Sequence, residues 1–491
     1  MQTYQLTALI FLVLYYAFVI GLSLYRKMVK SEMDYFLANR KFPAWILAVS
    51  YAASWFGGSS AIISADKAFA GGWSSYFVMG GPTICSGIVL LFLAKRIRMF
   101  GPISQPEMTE ARYNRTARII QSVIIFWYMI TWAASQMIGA AGFVSGFFGM
   151  TYTAALFVVV VVVWFYCMFG GFKSVVTTDL GQFIWIVVAL VIVLITAFTK
   201  SGGFKNVSAA VQQRGTADFY NIFGNGKFSL FYIISFTFAW VISAEIWQRF
   251  SATKSVKDAK KMSRGALYIN IPLYFFAVVI GMLAVALFPE KPEGHIMAAI
   301  IKQYVPPALA GISFAGLLAA VMSTMDTALN TGALILTEDI YHTIFKKDAN
   351  DKQLVMFGRI AVSIMAVCGI FISLAIKDML WVLWMASDIL AAGVFWPLFL
   401  GIHSKWGTTK GAVASMIAGG LFTLWHYLID LGVALPYLMP NWPGRSWPFS
   451  VFWSIVLGFV VYAVVSLATQ SPEEKMKAET FLNRFNESKT A

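Results

Sequence analysis

Ala319-Ala320-Val321-Met322-Ser323-Thr324-Met325-Asp326-Thr327 sets three hydroxyls and a carboxylate inside one long apolar segment. Hydrocarbon does not tolerate such groups without partners. Adjacent hydroxyls beside small residues suit a small cation, because they present hard oxygens and let another backbone come close. The residues alone leave a second reading equally open: Ser and Thr often bond the preceding turn of their own helix.

The rest of the chain puts this segment in a membrane. Of 491 residues, 59% are hydrophobic, 16% aromatic and only 12% charged, against ~25% charged in soluble proteins. Mean hydropathy is +0.71. That is too much apolar surface for a water-soluble core, and no stretch is polar enough for a separate soluble domain. Cys85, Cys167 and Cys368 lie in apolar runs and imply no disulfide framework. The formal charge of +14 does not point to nucleic acid, because the basic residues gather in short loops. The first apolar run has no basic leader and no small-residue cleavage site, so it reads as a retained span.

Hydropathy predicts thirteen transmembrane helices, near 6–26, 44–70, 75–94, 117–147, 151–169, 178–198, 226–248, 265–288, 307–334, 357–376, 379–401, 411–433 and 449–469. Each is close to the ~20 residues that cross a bilayer. Basic loops near 27–41, 95–118, 249–264, 341–359 and 403–410 alternate with loops poorer in Lys and Arg near 71–74, 201–225, 289–306 and 436–448. The alternation puts the N-terminus outside and the C-terminus in the cytoplasm. Residues 201–225 and 289–306 read as aqueous loops, and Trp442 and Trp447 as outer interfacial residues.

The second span is interrupted at Ala53-Ser54-Trp55-Phe56-Gly57-Gly58-Ser59-Ser60. Two glycines weaken the helix there, and unwinding would free carbonyls to join Ser323 and Thr324 around a cation. Such a site carries little fixed charge, so it can hold Na+ and release it. Broken helices of this kind accompany inverted repeats in transporters. Five-helix repeats at 44–198 and 226–401 fit this pattern, within one transporter unit, 1–491, that has peripheral helices and a short tail at 402–491; the glycines alone do not establish the repeats, because small residues also serve ordinary packing of membrane helices.

These motifs, with Gly170-Gly171-Phe172, Thr178-Asp179, Gln182, Gln248-Arg249-Phe250 and Ala319 to Asn330, resemble the sodium:solute symporter family over nearly the whole chain. The resemblance implies an all-α polytopic protein with the 5+5 inverted-repeat core of leucine and galactose sodium symporters. It implies Na+ as the coupling ion, held by carbonyls of Ala53, Phe56 and Ala320 and hydroxyls of Ser323 and Thr324. Phe56 departs from the aliphatic or methionine residue usual there, and its ring is expected to narrow the pathway. A candidate second cation site falls on Asp179, Asp326 and Thr327, after the sialic acid carriers of the family. Without the resemblance, Asp179 reads as a helix cap or first-turn acid.

Substrate is expected near the broken helices, among Trp55, Ser59, Trp132, Gln136, Trp240, Ser243, Glu245, Trp384 and Asp388. Tryptophan faces attract cations, although most membrane tryptophans mark interfaces. Glu245 and Asp388 are costly inside a membrane and are expected to pair with Lys67, Arg249 or another base, while Asp66-Lys67 reads as an outer gate pair. Aromatic walls with acids suit a zwitterion, such as the amino acid proline, or an organic cation. A monocarboxylate, pantothenate or sugar symporter is the alternative. A channel is the weaker rival, lacking a repeated carbonyl filter. No Cys/His cluster supports an enzyme: His295, His342, His403 and His426 are scattered. The expected partners are a small polar organic solute and the lipid of a bacterial inner membrane, with no nucleic acid and no obligate protein.

Overall fold

A computed structural model describes residues 3–25, 31–216, 218–224, 226–442, 444–445, 447 and 449–485, and it is all-helical over them. In chain order come α1 (Thr3–Tyr25), α2 (Glu32–Leu37), α3 (Ala44–Trp55), α4 (Gly58–Gly71), α5 (Tyr76–Phe100), α6 (Gln105–Arg112) and α7 (Arg115–Phe148). Next are α8 (Tyr152–Ser201), α9 (Phe204–Arg214), α10 (Gly226–Val241), α11 (Ala244–Ser251), α12 (Val256–Leu287) and α13 (Ile296–Tyr304). The last are α14 (Pro307–Leu334), which runs on as a π-helix over Ile335–Phe345, then α15 (Asp351–Ala375), α16 (Met379–Gly401), α17 (Thr409–Asp430), α18 (Phe449–Ala468) and α19 (Pro472–Asn483). Polar residues at the loops start these helices: Asn114, Ser255 and Asn350 accept the amides of Ala117, Asp258 and Gln353.

Among the described residues, ten helical stretches are long and apolar enough to cross a membrane, or eleven if α10 and α11, bent by 43°, form one span. This differs from thirteen separate helices because predicted boundaries lie inside continuous helical stretches, at 60–100 and 152–201. The 50 residues of α8 would rise ~75 Å if straight, more than twice the hydrocarbon thickness. A bend at Gly171, with φ 54 and ψ −157, divides them. The predicted aqueous loops also hold short helices, α9 and α13, and the predicted exit loop after α14 begins with the π-helix. Trp447 is half-buried and stacks on Trp384 at 3.4 Å, whereas Trp442 is exposed.

α14 is the axis of the bundle. Every residue from Ser313 to Leu334 is buried, as befits a helix that is apolar nearly all round. It packs on α8, α7 and α1. Small residues permit this, as membrane helix contacts require. A Cβ at Gly316 would fall 2.3 Å from the carbonyl oxygen of Trp185. Gly316→Ala should therefore lower the melting temperature in detergent by several degrees, an overpacking cost of about 1–3 kcal/mol. Gly146→Ala, which meets nothing within 4 Å, is the control. Equal melting temperatures for the two variants would refute this close approach.

Candidate functional site

The second predicted span breaks where the glycines stand. α3 ends at Trp55, α4 begins at Gly58, and Phe56 and Gly57 between them take ψ of 53 and 164. Ala53, Ser54 and Trp55 thereby lose the amides that would follow them in a continuous helix. Each freed carbonyl is met by a hydroxyl from another helix: Ser323 Oγ donates to Ala53 O at 3.1 Å, Thr324 Oγ1 to Ser54 O at 3.0 Å, and the Tyr274 hydroxyl to Trp55 O at 2.8 Å. Ser323 and Thr324 also reach the Ala320 carbonyl, at 3.0 and 3.3 Å. Glycine is needed at the break for closeness: a Cβ on Gly57 would sit 2.0 Å from Thr324 Oγ1, and one on Gly58 1.9 Å from Val321 Cγ2.

Ala53, Ala320, Ser323 and Thr324 are thus brought together as expected, with Ser54 added. The hydroxyls go to Ala53 and Ser54 rather than to the carbonyl of Phe56. The ring of Phe56 packs edge-on to Tyr274 at 5.1 Å, on the side of α12. The cluster is an uncharged set of hard oxygens, the ligand chemistry of a small hard cation.

One side of this cluster is occupied by Arg249 of α11. Its guanidinium donates to Ser50 Oγ at 3.0 Å, Ser54 Oγ at 2.6 Å, Thr327 Oγ1 at 2.9 Å and Asp179 Oδ2 at 3.1 Å. Arg249 and Asp179 form an ion pair whose side chains are both fully buried. Ser50 also donates to Asp179 at 2.5 Å. Asp179 lies well inside α8 and caps nothing, contrary to its local reading. Asp326 turns elsewhere and accepts the Tyr166 hydroxyl at 2.8 Å. The second oxygens of Asp179 and Asp326 have no hydrogen-bond partner.

An aromatic row begins at the same break. Trp55 meets Tyr51 at 4.8 Å and Trp240 at 5.5 Å, Trp240 meets Phe236 at 5.0 Å, and Phe236 meets Trp447 at 5.8 Å. Trp384 joins through Trp447. The Trp55 indole donates to Glu245 Oε1 at 3.5 Å, and buried Glu245 Oε2 has no partner. Glu245 stands in the first turn of α11, after the bend at Ser243, whose hydroxyl bonds Trp240 O. On α7, Trp132 stacks on Tyr128 and Gln136 donates to Ser135. The side chain of Ser59 lies outside the described residues.

The expected acid–base pairs are different ones. Glu245 offers Arg249 its backbone carbonyl, at 3.2 Å, instead of its carboxylate. Asp388 accepts Ser235 at 2.7 Å and Tyr427 at 2.6 Å, which ties α10, α16 and α17 together. Asp66 binds His295 Nδ1 and the Ile296 amide, both at 2.9 Å, with Lys291 at 3.7 Å, and makes no pair with Lys67. These groups line a cavity of 690 Å³ that Lys67, Lys377 and Asp378 also border. Sequence reasoning missed Tyr274 and the central place of Arg249. The Gln248-Arg249-Phe250 motif was the available signal, but a base ahead of a lysine-rich loop reads first as topology.

The family model described as "Sodium:solute symporter family" matches residues 35–419. The osmoregulated proline transporter OpuE of Bacillus subtilis is 27% identical, with 89% of this chain and 90% of that protein covered. A sodium/proline symporter of Staphylococcus aureus is 26% identical, with 99% and 96% covered. Among solved structures, a Na+-coupled sialic acid symporter in a substrate-bound outward-open state superposes with a TM-score of 0.76 at 18% identity, covering 94% of this chain and 98% of that one. The transporter Mhp1 of the nucleobase-cation-symport-1 family, closed around bromovinylhydantoin, gives 0.54 at 13% identity, with 92% and 99% covered. At these identities the two structures speak to the fold alone.

The buried ion pair yields a direct test. Asp179→Asn or Arg249→Gln alone leaves a charge without its counter-charge and should cost about 3–5 kcal/mol of stability. The double variant should lose clearly less than the sum of the singles, with a coupling of about 1–3 kcal/mol by denaturation in detergent. Additive losses would mean that the two charges do not depend on each other.

Proposed function

The chain belongs to the sodium:solute symporter family, and on that premise we propose that it takes up a small zwitterion or organic cation, with an amino acid such as proline first among the candidates. Na+ is its coupling ion. The observation that carries the proposal is the meeting of carbonyls freed at a helix break with the paired hydroxyls of Ser323 and Thr324.

In this reading Na+ is cargo held by the carbonyls of Ala53, Phe56 and Ala320 and the hydroxyls of Ser323 and Thr324. The hydroxyls then give up their hydrogen bonds to the break and turn their lone pairs to the ion. The ion replaces what it displaces, so α3 and α14 stay joined when it is bound and lose a tie when it leaves. One charge entering down ~100 mV releases ~2.3 kcal/mol, and the concentration gradient adds to it. Linkage is reciprocal: Na+ that favours the solute-binding arrangement is itself held more tightly when solute is present. A second cation at Asp179, Asp326 and Thr327 belongs to a state in which Arg249 has withdrawn, because its guanidinium fills that place here.

Solute is proposed to lie against Trp55 and Trp240, with Glu245 facing its positive group. The unpartnered Glu245 oxygen and the proline transporters among the relatives support this choice. Ser59, Trp132, Gln136, Ser243, Trp384 and Asp388 complete the proposed surroundings, the last two as second-layer support. The lysines around the 690 Å³ cavity favour one further reading, a monocarboxylate or pantothenate. Breaks open both proposed repeats, at α3/α4 for 44–198 and at α10/α11 for 226–401, which supports a 5+5 inverted-repeat core within the proposed thirteen spans. The proposed setting is a bacterial inner membrane, with the N-terminus outside and the C-terminus in the cytoplasm.

Purified protein in liposomes, offered amino acids, betaines, carboxylates and sugars under a Na+ gradient, tests the solute class. Replacing Ser323 and Thr324 together with alanine should lower Na+-dependent uptake by about tenfold or more while insertion persists, in line with ~1.4 kcal/mol or more of lost ion binding. Wild-type sodium activation in that variant would sink the assignment. Trp240→Ala should weaken solute binding at saturating Na+ by roughly 5- to 30-fold, the worth of one desolvated cation–aromatic contact. Sugar uptake by the wild type, with no response to amino acids or quaternary amines, would overturn the solute choice.

A further inference from the structure

Outside the break cluster, Glu32, Glu338 and His342 converge, each with one ligand atom within 4.8 Å of the other two. Glu32 opens α2, and Glu338 and His342 lie one turn apart on the π-helix that continues α14. Both glutamates are at least nine-tenths buried, at 9% and 4% exposure. Each has a buried oxygen, Oε1, with no hydrogen-bond partner. The other oxygen of Glu338 lies 3.4 Å from His342 Nδ1. No lysine or arginine among the described residues forms an ion pair with either glutamate.

Two buried carboxylates this close, each with an unpartnered oxygen, are costly unless a proton or a cation sits between them. The imidazole decides between these. A shared proton needs only the two carboxyls, whereas two carboxylates and a neutral imidazole nitrogen are the mixed oxygen–nitrogen set of Zn2+ or Mn2+. We propose that Glu32, Glu338 and His342 bind a divalent transition-metal ion, with water completing its shell on the side where His342 is 31% exposed. Small side-chain movements bring the three atoms to the ~2.0–2.2 Å of such bonds.

The ion would join two segments that sequence sets about 300 residues apart. α2 leads into α3, which breaks at Phe56, and the π-helix prolongs α14, which carries Ser323 and Thr324. A metal here is a strap across the two elements that the break cluster also joins. π-Helical turns recur at functional sites, and the i,i+4 spacing puts Glu338 and His342 on one face, toward Glu32 of α2.

The test is a Zn2+ titration of the purified full-length protein against a competing fluorescent chelator, with the thermal melt followed in parallel. The wild type should bind one Zn2+ that raises the melting temperature. His342→Ala and Glu32→Gln should each weaken that binding by about tenfold or more and abolish the shift. His342 is partly exposed, so its removal leaves a folded chain even if Glu32→Gln does not. Absence of stoichiometric Zn2+ binding to the wild type overturns the proposal and leaves a shared proton as the partner of the two glutamates. Undiminished binding in His342→Ala overturns it as well.

Discussion

Three consecutive carbonyls, those of Ala53, Ser54 and Trp55, lose their helical amides deep inside a membrane protein, and everything at the site follows from how they are repaid. In water such oxygens would be hydrated. In a bundle each would cost several kcal/mol if left bare. The chain answers with hydroxyls from two other helices: Ser323 and Thr324 of α14 and Tyr274 of α12. Gly57 and Gly58 let α14 come close enough to do so. The break is therefore held open by side chains that can exchange a hydrogen bond for an ion at small cost, which is what a coupling site has to do.

Arg249 adds the charge logic. Four oxygen-bearing side chains from α3, α8 and α14 surround one guanidinium, and its five donors suit such a gathering better than an ammonium would. The arrangement neutralises Asp179 without a mobile cation, and it touches Ser54 at the break itself. Any movement of α11 is felt at once by α3, α8 and α14. α11 also carries Glu245 to the Trp55 indole, so the carboxylate beside the aromatic row and the guanidinium of the buried ion pair are mounted on one short helix behind a 43° bend. Under the proposed function, this gives solute and ion a shared mechanical element.

Much of this was legible in the sequence, and unevenly so. Gly57-Gly58 within an apolar run announced the break, and Ser323-Thr324 amid small residues announced its partner, because both are local departures from what lipid tolerates. Asp179 and Arg249 were visible as residues but not as a pair: 70 positions separate them, and each has an adequate local explanation, as a cap and as a loop base. Tyr274 left no trace, since a tyrosine in an apolar helix needs no special reason. α9 reads as a loop because its polar residues outweigh a modest apolar face, whereas α13 is apolar but, at nine residues, too short to cross a bilayer. The bend at Gly171 falls where the sequence predicts an end of helix, since Gly-Gly close before a lysine marks a terminus as readily as a kink. Local chemistry is written in composition, while meetings across the bundle are written only in packing.

Under the proposed function, Na+ takes the oxygens at the break from the hydroxyls that hold them and, in doing so, fixes the segment. Hydrogen–deuterium exchange of the peptide spanning Phe56 to Ala61, in Na+ against equal K+, measures this directly. Slower exchange there in Na+, with α17 and α18 unchanged, is the predicted result. Identical exchange of that peptide in the two salts, under conditions where Na+ drives uptake, would contradict the account.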